Sequence, residues 1–137
     1  MDLGEIMVVK KARFRTSRKE VVEKILSKVP QYNAFYFFRG IGQYSGKFAT
    51  SLLDFNHKVK TLDSDSLDFH FERGDFEKWI RTTIGDTYLA DKIAKINESV
   101  KGEELLTQMC EMIEERLSEL KKLLASEEHY VEHDDDL

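Results

Sequence analysis

The chain has 137 residues, 41% of them hydrophobic and 34% charged, with one cysteine and a net charge of −5. A chain of this length usually forms one domain, and this apolar fraction can build a core without disulfides or metal. One cysteine excludes an intramolecular disulfide, and no apolar run approaches the roughly 20 residues that a membrane span requires. We therefore expect a helix-rich cytoplasmic protein with no membrane contact.

The charges are distributed unevenly. Residues 1–30 contain eight Lys or Arg and four acidic residues, whereas residues 101–137 contain four and twelve. The basic run "KKARFRTSRK" could neutralise phosphates, but the overall acidity and the lack of a known binding motif disfavour nucleic acid. We predict four parts: an N-terminal basic segment over 1–16, an α+β core domain over 17–98, a C-terminal amphipathic helix over 99–126 and a disordered acidic tail over 127–137.

The first predicted element is a helix. Ser17 and Glu20 have the spacing of a capping box, in which each side chain satisfies the other residue's backbone at the helix start. Pro30 disfavours a helical conformation at the residue before it, so we expect the helix to end at Val29.

A hairpin and a second helix follow. The four consecutive aromatics over 35–38 favour a strand, the nearby glycines favour a loose tip, and "GKFA" over 46–49 is the predicted return strand. Thr50 or Ser51 then caps a helix over 51–62.

The segment over 66–72 is short. Its alternating apolar residues favour a strand, although a helical turn stays open as an alternative. Gly74 ends it, and Asp75 is well placed as the N-cap of the next helix, with Asp86 capping the helix after that. The apolar residues of the helix that Asp75 would cap have helical spacing: Phe76, Trp79, Ile80 and Ile84.

The last helix has a heptad-like seam that is just under three heptads long. The seam either packs on its own domain or pairs with a second copy in a homodimer, and both alternatives stay open. Its residues are Leu106, Cys110, Ile113, Leu117, Leu120 and Leu124. The predicted fold is thus α+β, with a small antiparallel sheet of two to three strands packed against helices and a long C-terminal helix.

The order of several short motifs resembles a small prokaryotic, mostly archaeal, domain family of unknown function. The motifs stand here as "FYFFRGIGQYSG", "ATSLLDF", "SLDFH", "RGDFEKWI" and "GDTYLA", and together they span about residues 34–96. The resemblance implies a domain boundary and no mechanism.

Residues 66–86 hold the candidate chemistry. His70 titrates near neutral pH and could act as a general acid or base with Asp75 orienting it, while Arg73 or Arg39 could bind an anion. The structural alternative is that Asp75 only caps a helix and that His70 bonds a backbone carbonyl. The candidate ligand- or partner-binding residues are Arg39, Tyr44, His70 and Arg73.

Other signatures are weak or absent. "HYVEH" in the tail offers two histidines, but no strong metal site, and one cysteine argues against structural zinc. Because Cys110 is at an apolar seam position, it is expected to be inert, and we predict no cofactor. The leading hypothesis is therefore a non-enzymatic protein-interaction or regulatory module. The alternatives are a small enzyme or anion-ligand binder that uses His70, Arg73 and Asp75, and a nucleic-acid adaptor that uses the basic N-terminal run.

Overall fold

The protein is described by a computed structural model that covers the backbone over residues 18–135 and side chains over 18–126. The predicted basic segment over 1–16, Ser17 of the predicted capping box and the side chains of the acidic tail lie outside these residues. The elements in chain order are α1 (18–26), a 3₁₀ turn (Gln31–Asn33), β1 (Phe35–Phe38), β2 (Tyr44–Ala49), α2 (Leu52–Val59), α3 (Ser64–Arg73), α4 (Asp75–Trp79) with a π-helical continuation (Ile80–Ile84), α5 (Thr87–Ala94) and α6 (Gly102–Asp135).

The fold is α+β, as predicted. β1 and β2 form a two-stranded antiparallel hairpin, in which Phe35 pairs with Ala49 and the register shifts after Phe37. Gly46 lies at this irregularity with a φ of +85°, a conformation that glycine adopts without the strain of a Cβ. A two-stranded sheet is at best marginally stable alone, so the packing of α2 on β2 and of α3 on β1 stabilises the hairpin.

α1 ends at residue 26, so the prediction that it would reach Val29 was wrong by three residues. The Val29 N–H instead donates to the Thr50 carbonyl at 2.7 Å, which joins the segment after α1 to the end of β2. This tertiary hydrogen bond replaces the last helical turn.

Aromatic side chains of β1, α2 and α4 form one cluster within the core. Phe35 contacts the rings of Phe55, Phe76 and Trp79 at centroid distances between 5.3 and 5.7 Å. Trp79 also donates from its indole N–H to the Asn33 carbonyl at 2.8 Å, so its polar atom is satisfied. The predicted burial of the apolar face of α4 and its continuation is confirmed, because Phe76, Trp79, Ile80 and Ile84 are all buried.

The segment over 66–72 is part of α3, so the prediction of a strand there was wrong and the helical alternative is correct. The Asp63 side chain accepts from the Ser66 N–H at 3.0 Å and caps the helix. Leu67 and His70 are buried one helical turn apart, whereas Phe69 and Phe71 are only half-buried. The spacing of apolar residues over so short a run fits both a strand and a helix. Asp63, three positions before Ser66, is a typical N-cap residue and favours the helix.

Two predicted caps are confirmed, and one of them has a second role. The Ser51 hydroxyl accepts from the Asp54 N–H, and the Asp86 carboxylate accepts from the Leu89 N–H at 3.1 Å. Asp86 is almost fully buried, and its two oxygens also accept from Arg116 at 2.8 and 3.1 Å. This bidentate ion pair joins the start of α5 to the middle of α6.

α6 packs on its own domain, which is one of the two alternatives that the seam left open. Within the side chains described up to residue 126, Cys110, Ile113, Leu117 and Leu120 are buried in the core of the same chain, and Leu106 and Leu124 are partly buried against it. α6 contacts α2, α3 and α5. None of the helices in the described part of the chain has the length and apolarity needed to cross a bilayer.

Removing the side chain of Ile113 tests this packing. We expect Ile113→Ala to lower the free energy of unfolding by about 2–4 kcal/mol, because the substitution leaves a cavity in the core. Urea denaturation at two protein concentrations measures it, and Leu123→Ala is the control because Leu123 is exposed on the same helix. An unfolding midpoint that rises with protein concentration would contradict intramolecular packing of the seam.

Removing the Asp86 carboxylate tests the ion pair. We expect Asp86→Ala to lower the free energy of unfolding by about 3 kcal/mol, because the change removes an N-cap and leaves the largely buried Arg116 with only its longer ion pair to Glu119 among the described residues. Asp91→Ala is the control, since Asp91 is an exposed partner of Arg81 and its loss should barely move the urea midpoint. Equal effects of the two substitutions would argue against a structural role for the buried pair.

Candidate functional site

A cleft of about 420 Å³ lies between the tip of the β1–β2 hairpin and α3, and we name it the hairpin cleft. Its lining is mostly apolar and includes aromatic rings from both elements. The volume is within the range of small-molecule sites, which are typically apolar pockets with a few polar groups. The lining residues are Phe35, Tyr36, Phe38, Gly40, Ile41, Gly42, Phe69, His70, Arg73 and Asp75.

His70 lies at one side of the hairpin cleft and is 3% exposed. The Phe38 N–H donates to its Nε2 at 2.8 Å. A backbone amide can only donate, so Nε2 carries no proton, and the proton of the neutral ring is on Nδ1. Nδ1–H therefore donates to Asp75 Oδ2 at 2.9 Å. Both ring nitrogens are used within the fold.

Burial lowers the pKa of His70, and the hydrogen bond that its Nδ1–H donates to Asp75 opposes that effect only in part. Protonation of Nε2 would place a second N–H against the Phe38 amide and break the hydrogen bond between them. Aromatic rings also surround the imidazole, with Phe35 and Phe69 at centroid distances of 4.8 and 5.1 Å. The structure thus favours a neutral His70.

Asp75 does not cap α4 with its side chain, so that prediction was wrong. The residue at the N-cap position is Gly74, which has a φ of +73° and ends α3 as well. The Asp75 carboxylate turns instead toward the hairpin cleft, where Oδ2 accepts from both His70 Nδ1 and Arg73 Nε, the latter at 3.1 Å. The left-handed residue between the two helices makes this possible, because it turns α4 so that Asp75 faces the last turn of α3.

Arg73 lies beside Asp75 and is 53% exposed. Its guanidinium stands over the Phe69 ring at 5.1 Å from the centroid, and its Nε is held by Asp75. Its two terminal amino groups have no partner among residues 18–126. Arg73 is therefore the one polar group of the hairpin cleft that combines a fixed position with several unused donors.

The other two predicted binding residues do not line the hairpin cleft. Arg39 forms an ion pair with Asp63 at 2.9 Å, and both side chains are exposed. Tyr44 packs against the rings of Tyr36 and Phe38, which line the cleft, but is not itself part of the lining. Of the four predicted residues, the fold brings together only His70 and Arg73, with Asp75 between them.

Sequence reasoning missed the aromatic walls. Phe38 and Phe69 line the hairpin cleft from β1 and α3, yet an aromatic residue in a strand or helix usually indicates core. No local pattern separates a half-buried wall residue from a fully buried one. The exposed tip residue Ile41 was the only available signal, because an apolar residue between two glycines has no core to fill.

The arrangement suits binding better than catalysis. A general base needs a free lone pair within reach of substrate, and the lone pair on His70 Nε2 is taken by the Phe38 amide. Cys110 is buried in the core, where burial raises the pKa of its thiol and makes the thiolate scarce. In the described side chains, no group of three metal-ligating residues lies together.

Comparisons with protein-family models, with curated proteins and with solved structures found no match to this chain. The resemblance to a prokaryotic domain of unknown function therefore stays a prediction.

The pH dependence of stability tests the state of His70. The pKa of His70 is lower in the folded protein than the usual 6.5 or so. Its contribution to the free energy of unfolding should therefore be fully present above about pH 6.5 and be lost as the pH drops toward the lowered pKa. The expected slope is at most about 1.4 kcal/mol per pH unit, measured by urea unfolding between pH 7.5 and 5.5.

Replacement of His70 and, as a control, of His57 isolates the contribution of His70. His70→Gln should reduce the slope of the free energy of unfolding against pH. His57→Gln, at an exposed position of α2, should leave the part of that slope that comes from His70 unchanged. An NMR titration of the wild-type imidazole gives the same information without a substitution. A His70 ring that takes up its proton above pH 6.5 would contradict the neutral, doubly hydrogen-bonded ring.

Proposed function

We propose that this protein is a non-enzymatic binding module whose hairpin cleft receives an apolar group of a partner molecule. The observation that carries the proposal is that both nitrogens of His70, the only histidine among the described residues that line the cleft, are used within the fold, while the aromatic walls and Arg73 stay accessible. Such a site can offer contact area and a few polar contacts, but among the described residues it offers no histidine lone pair that is free to act as a base.

This proposal keeps the non-enzymatic part of the leading hypothesis from the sequence and changes both the kind of partner and the surface that binds it. The seam of α6 is used by the core of the same chain, so a homodimer through this helix, which stays a prediction, would have to use its remaining surface. The hairpin cleft is the surface that supports the proposal. From the single cysteine we also propose the cytoplasm as the location of the protein.

The alternative of a small enzyme finds less support. It requires His70 to exchange protons with a substrate, and each exchange would break the hydrogen bond to the Phe38 amide or the one to Asp75. The nucleic-acid alternative depends on a basic run that lies mostly outside the described residues.

A charge at the cleft rim tests the proposal. Ile41 is 85% exposed at the hairpin tip, so Ile41→Asp should not affect folding but should weaken binding of an apolar group. The probe is the neutral compound 3-phenylpropanamide, for which we expect a Kd on the order of millimolar from its size. NMR titration should shift the amides of the hairpin tip and α3, and Ile41→Asp should raise the Kd at least about threefold.

The matched control is Tyr32→Asp, which places the same charge at a residue that is 82% exposed and does not line the cleft. It should leave the Kd unchanged. The proposal fails if the wild-type protein does not bind the probe, or if the shifted amides map outside the hairpin and α3.

A further inference from the structure

We infer that the natural occupant of the hairpin cleft is a small apolar molecule with one carboxylate, bound through the unused edge of Arg73. The inference deepens the proposed function and rests on it, because it assigns a chemical class to the group that the cleft receives.

The first step is the position of Arg73. Its Nε donates to Asp75 at 3.1 Å, and its guanidinium carbon lies 5.1 Å from the centroid of the Phe69 ring. These two contacts fix the position of the group. A guanidinium presents five N–H donors in a planar fork, and only the Nε–H is used by a described residue. The remaining edge has the geometry that accepts a carboxylate through two parallel hydrogen bonds.

The second step is the balance of donors and acceptors. Asp75 Oδ2 already accepts two N–H groups, from His70 and from Arg73, and the Asp75 side chain is mostly buried. Arg73, by contrast, keeps four N–H donors at a half-exposed position. Oδ1 of Asp75 accepts no hydrogen bond from a described residue, but the four N–H groups of Arg73 outnumber it, and this balance favours an acceptor group on the ligand over an amine.

The third step concerns size and polarity. A volume of about 420 Å³ is near the lower end of the range for small-molecule sites, so the cleft fits a compact molecule. Phe38, Phe69 and Ile41 offer only apolar contacts, and aromatic rings in such walls favour tilted or edge-to-face contact with another ring. An aryl or short alkyl group that ends in one carboxylate satisfies both the walls and Arg73.

The experiment compares two probes that differ only in charge. 3-Phenylpropanoate and 3-phenylpropanamide are titrated into the full-length protein at pH 7.5, and binding is followed by the amide shifts of the hairpin and α3. We expect the carboxylate to bind about fivefold more tightly, because a half-exposed ion pair with two hydrogen bonds contributes roughly this much.

Three variants assign the preference to Arg73. Arg73→Gln removes the charge and should bring the two Kd values to the same level. Arg73→Lys keeps the charge without the fork and should leave a preference of about twofold or less. Arg39→Gln is the matched control, since it removes an exposed, ion-paired arginine outside the cleft and should preserve the fivefold ratio. Thermal melting of each variant verifies that it folds.

The outcomes separate this inference from the proposed function. If both probes bind in the cleft with equal Kd, the carboxylate is not recognised and the inference is overturned, while the binding module stands. If neither probe binds, the proposed function fails and the inference fails with it. A third arm uses acetyl-Gly-Gly-Phe with a free carboxyl terminus. If this peptide binds ten times more tightly than 3-phenylpropanoate, the occupant is a peptide terminus and the small-molecule assignment is overturned.

Discussion

The hydrogen bonds of His70 are the constraint on which this structure depends. The ring accepts from the last residue of β1, donates to the first residue of α4 and is itself in the last full turn of α3, so it joins three elements. The Ser66 hydroxyl donates to the Phe38 carbonyl at 2.7 Å, so α3 satisfies both backbone polar groups of that residue. Buried polar groups must be paired, and these pairings set the position of α3 relative to the hairpin.

The residues that make the hydrogen bonds of His70 line one side of the hairpin cleft, and their pairing limits the chemistry of the site. A histidine that satisfies two structural partners has no free lone pair, and the aspartate that orients it is occupied by His70 and Arg73. The stability of the hairpin and a catalytic role for His70 therefore compete for the same atoms. In this fold the structural role takes them, and among the described residues the unused N–H donors of Arg73 and Oδ1 of Asp75 remain for a ligand.

A seam with steps of three and four residues is typical of a coiled coil, yet here it serves a single chain. α6 presents that seam to α2, α3 and α5, which together cover the stripe that a partner helix would cover in a dimer. The bidentate pair between Asp86 and Arg116 then selects one register, because a shift of α6 by one turn would leave a buried carboxylate without its partner. Apolar contacts alone would tolerate such a shift more easily.

Local chemistry in the sequence was enough to identify the hairpin, the caps Ser51 and Asp86 and the buried face around Trp79, because neighbouring residues decide each of these features. The sequence left open whether residues 66–72 form a strand or a helix, which of its two predicted roles Asp75 takes and which surface covers the α6 seam. His70 and Phe38 are 32 residues apart, and Asp86 and Arg116 are 30 apart. A carboxylate at a helix start fits both the pattern of a cap and that of a partner for another side chain, and only the folded chain decides between them: Asp86 takes both roles, whereas Asp75 bonds His70 and Arg73 and does not cap α4.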